Sequence, residues 1–364
     1  MRYVMDVETY FSLPNCIIYS FIITGKIPYT VCIDPYQEET GQRMTTSPKP
    51  MTASERVHAA IAGEQVDRVP FCFWHHFKPE GSGERMAKLT KEFFIDKFKL
   101  DIVKIMPDLE YPPPQDQLTV SDQLRFLPRL DLDTPMFQEQ LTCIRVLRSQ
   151  IGNDYPLILT LFSPLTYVIR FMGKRKAIEE ARKNPQPFEE GLGTIASNLR
   201  RLMEAAIEAG VSGIFFSCMG ATNTDFTREE YRNIGRPYDL EALEGAKNGW
   251  LNIVHVHADP TQEGDQIYFE DFTDYPVAVM SWSDRLTGPT LSEALTLTDK
   301  CLMGGLWERG PLTHGSQAEI DNEIMSAISQ TKGRRLILAN GCSVPDDTPE
   351  EWLQMARHLV DELR

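Results

Sequence analysis

At 364 residues, with 42% hydrophobic and 24% charged side chains, the chain is long enough for one large domain or two small ones with a substantial core. Its formal charge of -15 leaves no basic surface for a phosphate backbone, and no Lys/Arg run interleaved with aromatics occurs, so nucleic acid is excluded as a partner. The seven cysteines (Cys16, Cys32, Cys72, Cys143, Cys218, Cys301 and Cys342) are scattered, with no C-x-x-C pair, the pattern of thiols in a reducing, cytoplasmic compartment.

The first fifty residues differ from the rest. Cys16 to Ile33 is apolar and β-branched, but Lys26 and Pro28 interrupt it and leave pieces too short to span a bilayer, so no membrane association is expected. A Thr/Ser/Gln/Pro-rich linker follows from Gln37 to Pro50. Residues 1–50 are therefore expected to lie outside the folded domain of residues 51–364, as an extension upstream of a start near Met44 or Met51.

From Thr52 the pattern alternates between helix and strand. Thr52 to Ala62 is a helix opened by an S/T-x-x-E cap, Thr52 to Glu55. Val69 to Phe77 is the first strand, and a helix follows near Thr90 to Phe98. The second strand, Asp101 to Met106, ends in Pro107-Asp108. A helix at Met136 to Ile151 leads to the third strand, Pro156 to Leu161, which ends in Ser163-Pro164. The helix Pro187 to Ala209 stops at Gly210, before a fourth strand at Gly213 to Ser217. The fifth lies in Asn252 to Pro260, the sixth is Val277 to Trp282, the seventh Cys301 to Leu306 and the eighth Leu336 to Asn340. Helices are expected at Leu291 to Asp299, Ser316 to Thr331 and Pro349 to Leu363. Eight buried strands separated by helices predict a parallel sheet closed into a single (β/α)₈ barrel; no G-x-G-x-x-G or P-loop supports the open-sheet alternative.

In such a barrel the site forms at the C-terminal ends of the strands. His75 and His76, Asp108, Ser163, Ser217, His255, His257 and Cys342 fall there. His255 and His257 are two apart on a strand and so share a face. Together with Cys342, presented by the Asn340-Gly341-Cys342-Ser343 turn, they make an N₂S donor set that suits Zn²⁺ with a fourth position open for a substrate thiol. Asp108 could orient a ligating His or act as general acid/base. Plainer readings stand beside these: Cys342 as a small core residue and Asp108 as a turn former. His75 and His76 are adjacent and point opposite ways, so at most one belongs to the site; His75, Ser163 and Ser217 are taken as candidate cofactor contacts. Trp282 and Cys218 read as packing residues.

Several stretches resemble the uroporphyrinogen decarboxylase superfamily. Glu55-Arg56-Val57-His58-Ala59-Ala60-Ile61-Ala62-Gly63 with Asp67-Arg68-Val69-Pro70 is similar to the family's approach to strand one. Asp101-Ile102-Val103-Lys104 with Asp108 resembles the second strand and its catalytic aspartate. Ser163-Pro164-Leu165-Thr166 resembles the third-strand turn, and Asn340-Gly341-Cys342 through Thr348-Pro349-Glu350 the closing motif. The resemblance implies the barrel independently of the strand count. Strand one ends Phe73-Trp74-His75-His76-Phe77-Lys78, without the arginines with which true decarboxylases bind substrate carboxylates. The corrinoid methyltransferase branch is similar to this chain in an H-x-C…C zinc signature, with His257 here in place of its Cys.

The resemblance thus implies a zinc-dependent methyl transfer between a corrinoid, free or on a partner protein, and a thiol. A cofactor-independent decarboxylase of uroporphyrinogen or a smaller carboxylate, with Asp108 stabilising charge, is the alternative, and a non-catalytic tetrapyrrole carrier a third. A homodimer fits the likeness.

Overall fold

A computed structural model describes residues 17–21, 29–33 and 50–363. The chain divides into two compact units, Met1–Ser47 and Pro48–Arg364. In the first, Ile17–Phe21 pairs antiparallel with Tyr29–Ile33. The linker expected at residues 37–50 lies, but for Pro50, outside the described residues.

The second unit is a (β/α)₈ barrel. Its strands are β1 (Phe71–Cys72), β2 (Val103–Ile105), β3 (Leu157–Phe162), β4 (Gly213–Cys218), β5 (Ile253–Val256), β6 (Val279–Trp282), β7 (Cys301–Leu306) and β8 (Leu336–Asn340). All pairs are parallel, each strand from β2 to β8 lies beside the next in sequence, and β8 returns to β1 through Leu338↔Phe71 and Ala339↔Cys72. Almost every strand residue is buried, as helices outside and side chains inside require; hence the near-continuous apolar runs. Among the described residues no helix is long and apolar enough to cross a membrane.

Local chemistry sets the elements. The helix Ala53–Ile61 starts where Thr52 Oγ1 accepts the Glu55 N–H and Glu55 Oε2 accepts the Thr52 N–H, a reciprocal cap. The long helix Pro185–Ala209 ends at Gly210, whose φ of +115° is in the range glycine favours. In β7, Gly304 makes room for Asp284, whose Oδ1 accepts the Gly305 N–H at 2.7 Å.

Two expectations change. The first strand pairs over only Phe71–Cys72, because Pro70 has no N–H for a ladder and the chain beyond Cys72 rises off the sheet to form a loop at the mouth. The chain after Ser163 is a helix, Pro164–Met172, where the sequence reads as a turn; Ser163 is its cap and Pro164 its first residue.

Candidate active site

The fifth strand delivers its two imidazoles as its period demands. The His255 and His257 rings are 6.1 Å apart, centroid to centroid, at 76°. His255 is buried; its Nδ1 lies 3.2 Å from Ser281 Oγ on β6 and its ring stacks on Phe215 of β4 at 5.3 Å. Burial, then the neighbouring His257 and Lys104, hold its pKa well below the usual histidine value. His257, just past the strand, continues the ladder by donating its N–H to Cys218 O at 2.9 Å, and burial lowers its pKa also. Both rings are therefore neutral near pH 7, with lone pairs available.

Cys342 stands two residues beyond β8. Its N–H donates to Glu308 Oε2 at 3.2 Å, and its carbonyl accepts from Asn340 Nδ2. Burial, reinforced by the Glu308 carboxylate, pushes the thiol up to about 11. Glu308, buried just after β7, is itself raised by burial.

Between these two sides lies Lys104, on β2 and 1% exposed. Its Nζ sits 4.1 Å from the Phe215 ring centroid, 4.9 Å from that of Trp74, and 3.4 Å from Met106 Sδ. Burial pushes it down to about 7. Its charge reaches both His255 and Cys342.

Asp108 follows β2 and is fully engaged: Oδ1 lies 2.6 Å from His76 Nδ1, and Oδ2 accepts the Phe77 N–H at 2.7 Å. Of the adjacent histidines, His76 makes the polar contact. His75 packs between Phe77 and Phe93, at 4.7 and 4.4 Å, and burial lowers its pKa. Ser163 spends its hydroxyl on the cap, accepting from Thr166 N at 3.2 Å and sharing a 2.8 Å bond with Thr166 Oγ1. The Ser217 carbonyl accepts from Ser163 N–H and Thr166 Oγ1, which ties β4 to that cap. Beside the mouth, Pro107, Tyr111, Phe162, Tyr167, Arg170 and Phe171 line a cavity of about 320 Å³.

Zinc suits the donors His255, His257 and Cys342 but not their arrangement. Among the described residues no three His, Cys, Asp or Glu side chains gather closely enough to hold a metal ion. β6 and β7 lie between β5 and β8, and Lys104, pushed down to about 7, acts electrostatically on both His255 and Cys342. The expected N₂S set of His255, His257 and Cys342 therefore remains a donor set by chemistry alone. Lys104 and Glu308 are buried charged residues near the mouth that sequence reasoning does not find, and of the two adjacent histidines it is His76 that meets Asp108. Only the Lys inside an otherwise apolar second strand could have flagged the first.

The sequence profile described as uroporphyrinogen decarboxylase (URO-D) matches residues 99–363. The chain belongs to this family. Among solved structures, this URO-D family protein is similar to a methyltransferase from Methanosarcina mazei, with a TM-score of 0.66 and 18% identity over 86% of this chain and 99% of that one. It is also similar to a B12-independent methionine synthase from Shewanella sp. W3-18-1, with a TM-score of 0.52 and 13% identity over 81% of this chain and 94% of that one. A putative vitamin-B12 independent methionine synthase from Listeria monocytogenes gives 0.52 and 12%, over 82% and 97%. At these identities the shared property is the fold. No curated protein sequence matches this URO-D family chain.

Proposed function

We propose that this URO-D family protein is a cytoplasmic enzyme that transfers a methyl group between a corrinoid, free or carried by a partner protein, and a thiol. The observation that carries the reading is the mouth itself: two imidazoles kept neutral by burial, with nearby cations already neutralised by carboxylates. Arg170 is paired with Glu110 at 3.0 Å, and Lys174 with Asp225 and Asp259 at 3.2 and 3.1 Å. A substrate with eight carboxylates needs several free cations, and these two are already paired. A thiol and a methyl group ask instead for uncharged neighbours and apolar walls, which His255, His257 and the aromatic cavity beside Asp108 offer. The names of the neighbouring structures support methyl transfer as the reaction class; two of them are B12-independent enzymes, so the corrinoid rests on the resemblance alone. Zinc, implied by the resemblance, enters no step here because its three donors are not gathered.

The alternative is decarboxylation with Asp108 stabilising positive charge on the substrate through the lone pairs that its bonds to His76 and the Phe77 N–H leave open.

The test is an anaerobic assay with methylcobalamin and a panel of small thiols. The visible spectrum reports loss of the cobalt–carbon bond, and mass spectrometry the thioether. Thioether formed only with enzyme supports the reading. No thioether with any thiol, alongside CO₂ release from uroporphyrinogen, would replace it with decarboxylation.

A further inference from the structure

We propose that His76, held by Asp108, is the proton acceptor at the barrel mouth, a His–Asp dyad built from the loops after β1 and β2. Three observations support it. The contact is short, 2.6 Å from His76 Nδ1 to Asp108 Oδ1, and the second carboxylate oxygen is fixed by the Phe77 N–H at 2.7 Å, so the carboxylate cannot swing away from the ring. The exposures are opposite: the Asp108 side chain is 11% exposed and that of His76 54%. The loop is anchored, since Val344 N–H donates to Trp74 O at 2.9 Å and so ties it to the segment that carries Cys342.

An ionised carboxylate at Nδ1 holds the ring proton there and leaves the lone pair on Nε2, the edge away from Asp108. His75, one residue earlier, cannot share the task because its ring is sandwiched by Phe77 and Phe93. The acid that gives up the proton rests on the methyl-transfer reading; the dyad does not. In that reading the thiol S–H proton passes to His76 Nε2 and its electron pair stays on sulfur. Sulfur then attacks the methyl carbon, and the cobalt–carbon bond breaks with both electrons left on cobalt. The imidazolium returns its proton to water.

The dyad is tested without substrate by diethylpyrocarbonate labelling of the full-length protein, followed residue by residue by mass spectrometry. His76 should react, and Asp108→Asn should slow it severalfold while His314 and His358, both exposed, keep their rates as internal references of a folded chain. A His76 rate unchanged in Asp108→Asn overturns the dyad. The proton role is tested in the methyl-transfer assay: His76→Gln should lower thiol-dependent turnover about 100-fold or more, with partial recovery on adding imidazole. Unchanged turnover overturns that role. If the wild type forms no thioether, the methyl-transfer reading fails and the labelling result alone decides the dyad.

Discussion

Phe71 and Asp101 are bonded to each other twice: Phe71 donates its N–H to Asp101 Oδ2 at 2.8 Å, and Asp101 donates its own N–H to Phe71 O at 3.0 Å. This pair joins β1 to β2, and so closes the barrel where β1 is shortest. The same carboxylate accepts from Arg56 at 2.5 Å and from Arg68 at 2.5 and 3.0 Å, all buried. Asp101→Ala would leave two guanidinium groups short of their counter-charge and a backbone N–H without a partner. It should destabilise the barrel by about 3–5 kcal/mol. Urea unfolding measures this, and a loss under about 1 kcal/mol would show that the closure does not depend on Asp101.

Asp239 predicts a pH effect on stability. It is buried, with Tyr231 and Tyr275 hydroxyls donating to Oδ2 at 2.7 and 2.9 Å while Oδ1 has no partner. Burial pushes its carboxyl from 3.8 up to about 7. The folded chain therefore holds a proton that the unfolded chain releases, and the stability this group contributes falls as pH rises from about 4 to 7. The histidines lowered by burial act oppositely, losing stability as pH falls below 6.5, but they are common to wild type and variant. The stability of wild type minus that of Asp239→Asn should thus decline between pH 5 and 7, at up to about 1.4 kcal/mol per unit. A flat difference would show that Asp239 is ionised throughout.

Zinc content checks whether His255, His257 and Cys342 hold a metal. Protein purified without added metal should hold well under one zinc per chain, and Cys342→Ser should not change the amount. One zinc per chain, lost in both Cys342→Ser and His257→Ala, would mean that the closing loop swings its thiol onto the histidine pair when metal binds. Mass spectrometry of the native protein and both variants decides between them.

Gly304 offers a packing test. A Cβ there would lie 2.6 Å from Asp284 Oδ1, a buried carboxyl whose place is set by the Gly305 N–H. Gly304→Ala should destabilise by about 1–3 kcal/mol through the forced shift of that carboxylate. An unchanged melting temperature would show that Asp284 can move freely.

Much of the barrel is legible because each strand is a short apolar run and each helix carries its own signals. Cys301–Leu306 and Leu336–Asn340 appear at the expected boundaries, and the Thr52 cap forms as written. The helix Pro164–Met172 is hidden because Ser163-Pro164 has the same spelling as a turn and as a capped helix start, and the residues from Leu165 to Met172 are apolar on most sides and read as core.

By itself the sequence determined the alternation of strands and helices, the burial of the strands and the placing of His76, Asp108, His255, His257 and Cys342 near the strand ends. These depend on local periodicity and on the rule that such barrels work at one face. Only the tertiary structure decided which of those residues meet. His76 and not His75 reaches Asp108, because one-residue alternation says that the two point apart but not which way. Whether Cys342 meets the histidines is equally beyond the sequence, because a chemically fitting donor set carries no distance across a barrel. Lys104 lies against Phe215 of β4 and Trp74 from the loop after β1, far from it in the chain. Long-range neighbours of this kind leave no local pattern, so packing alone assigns them.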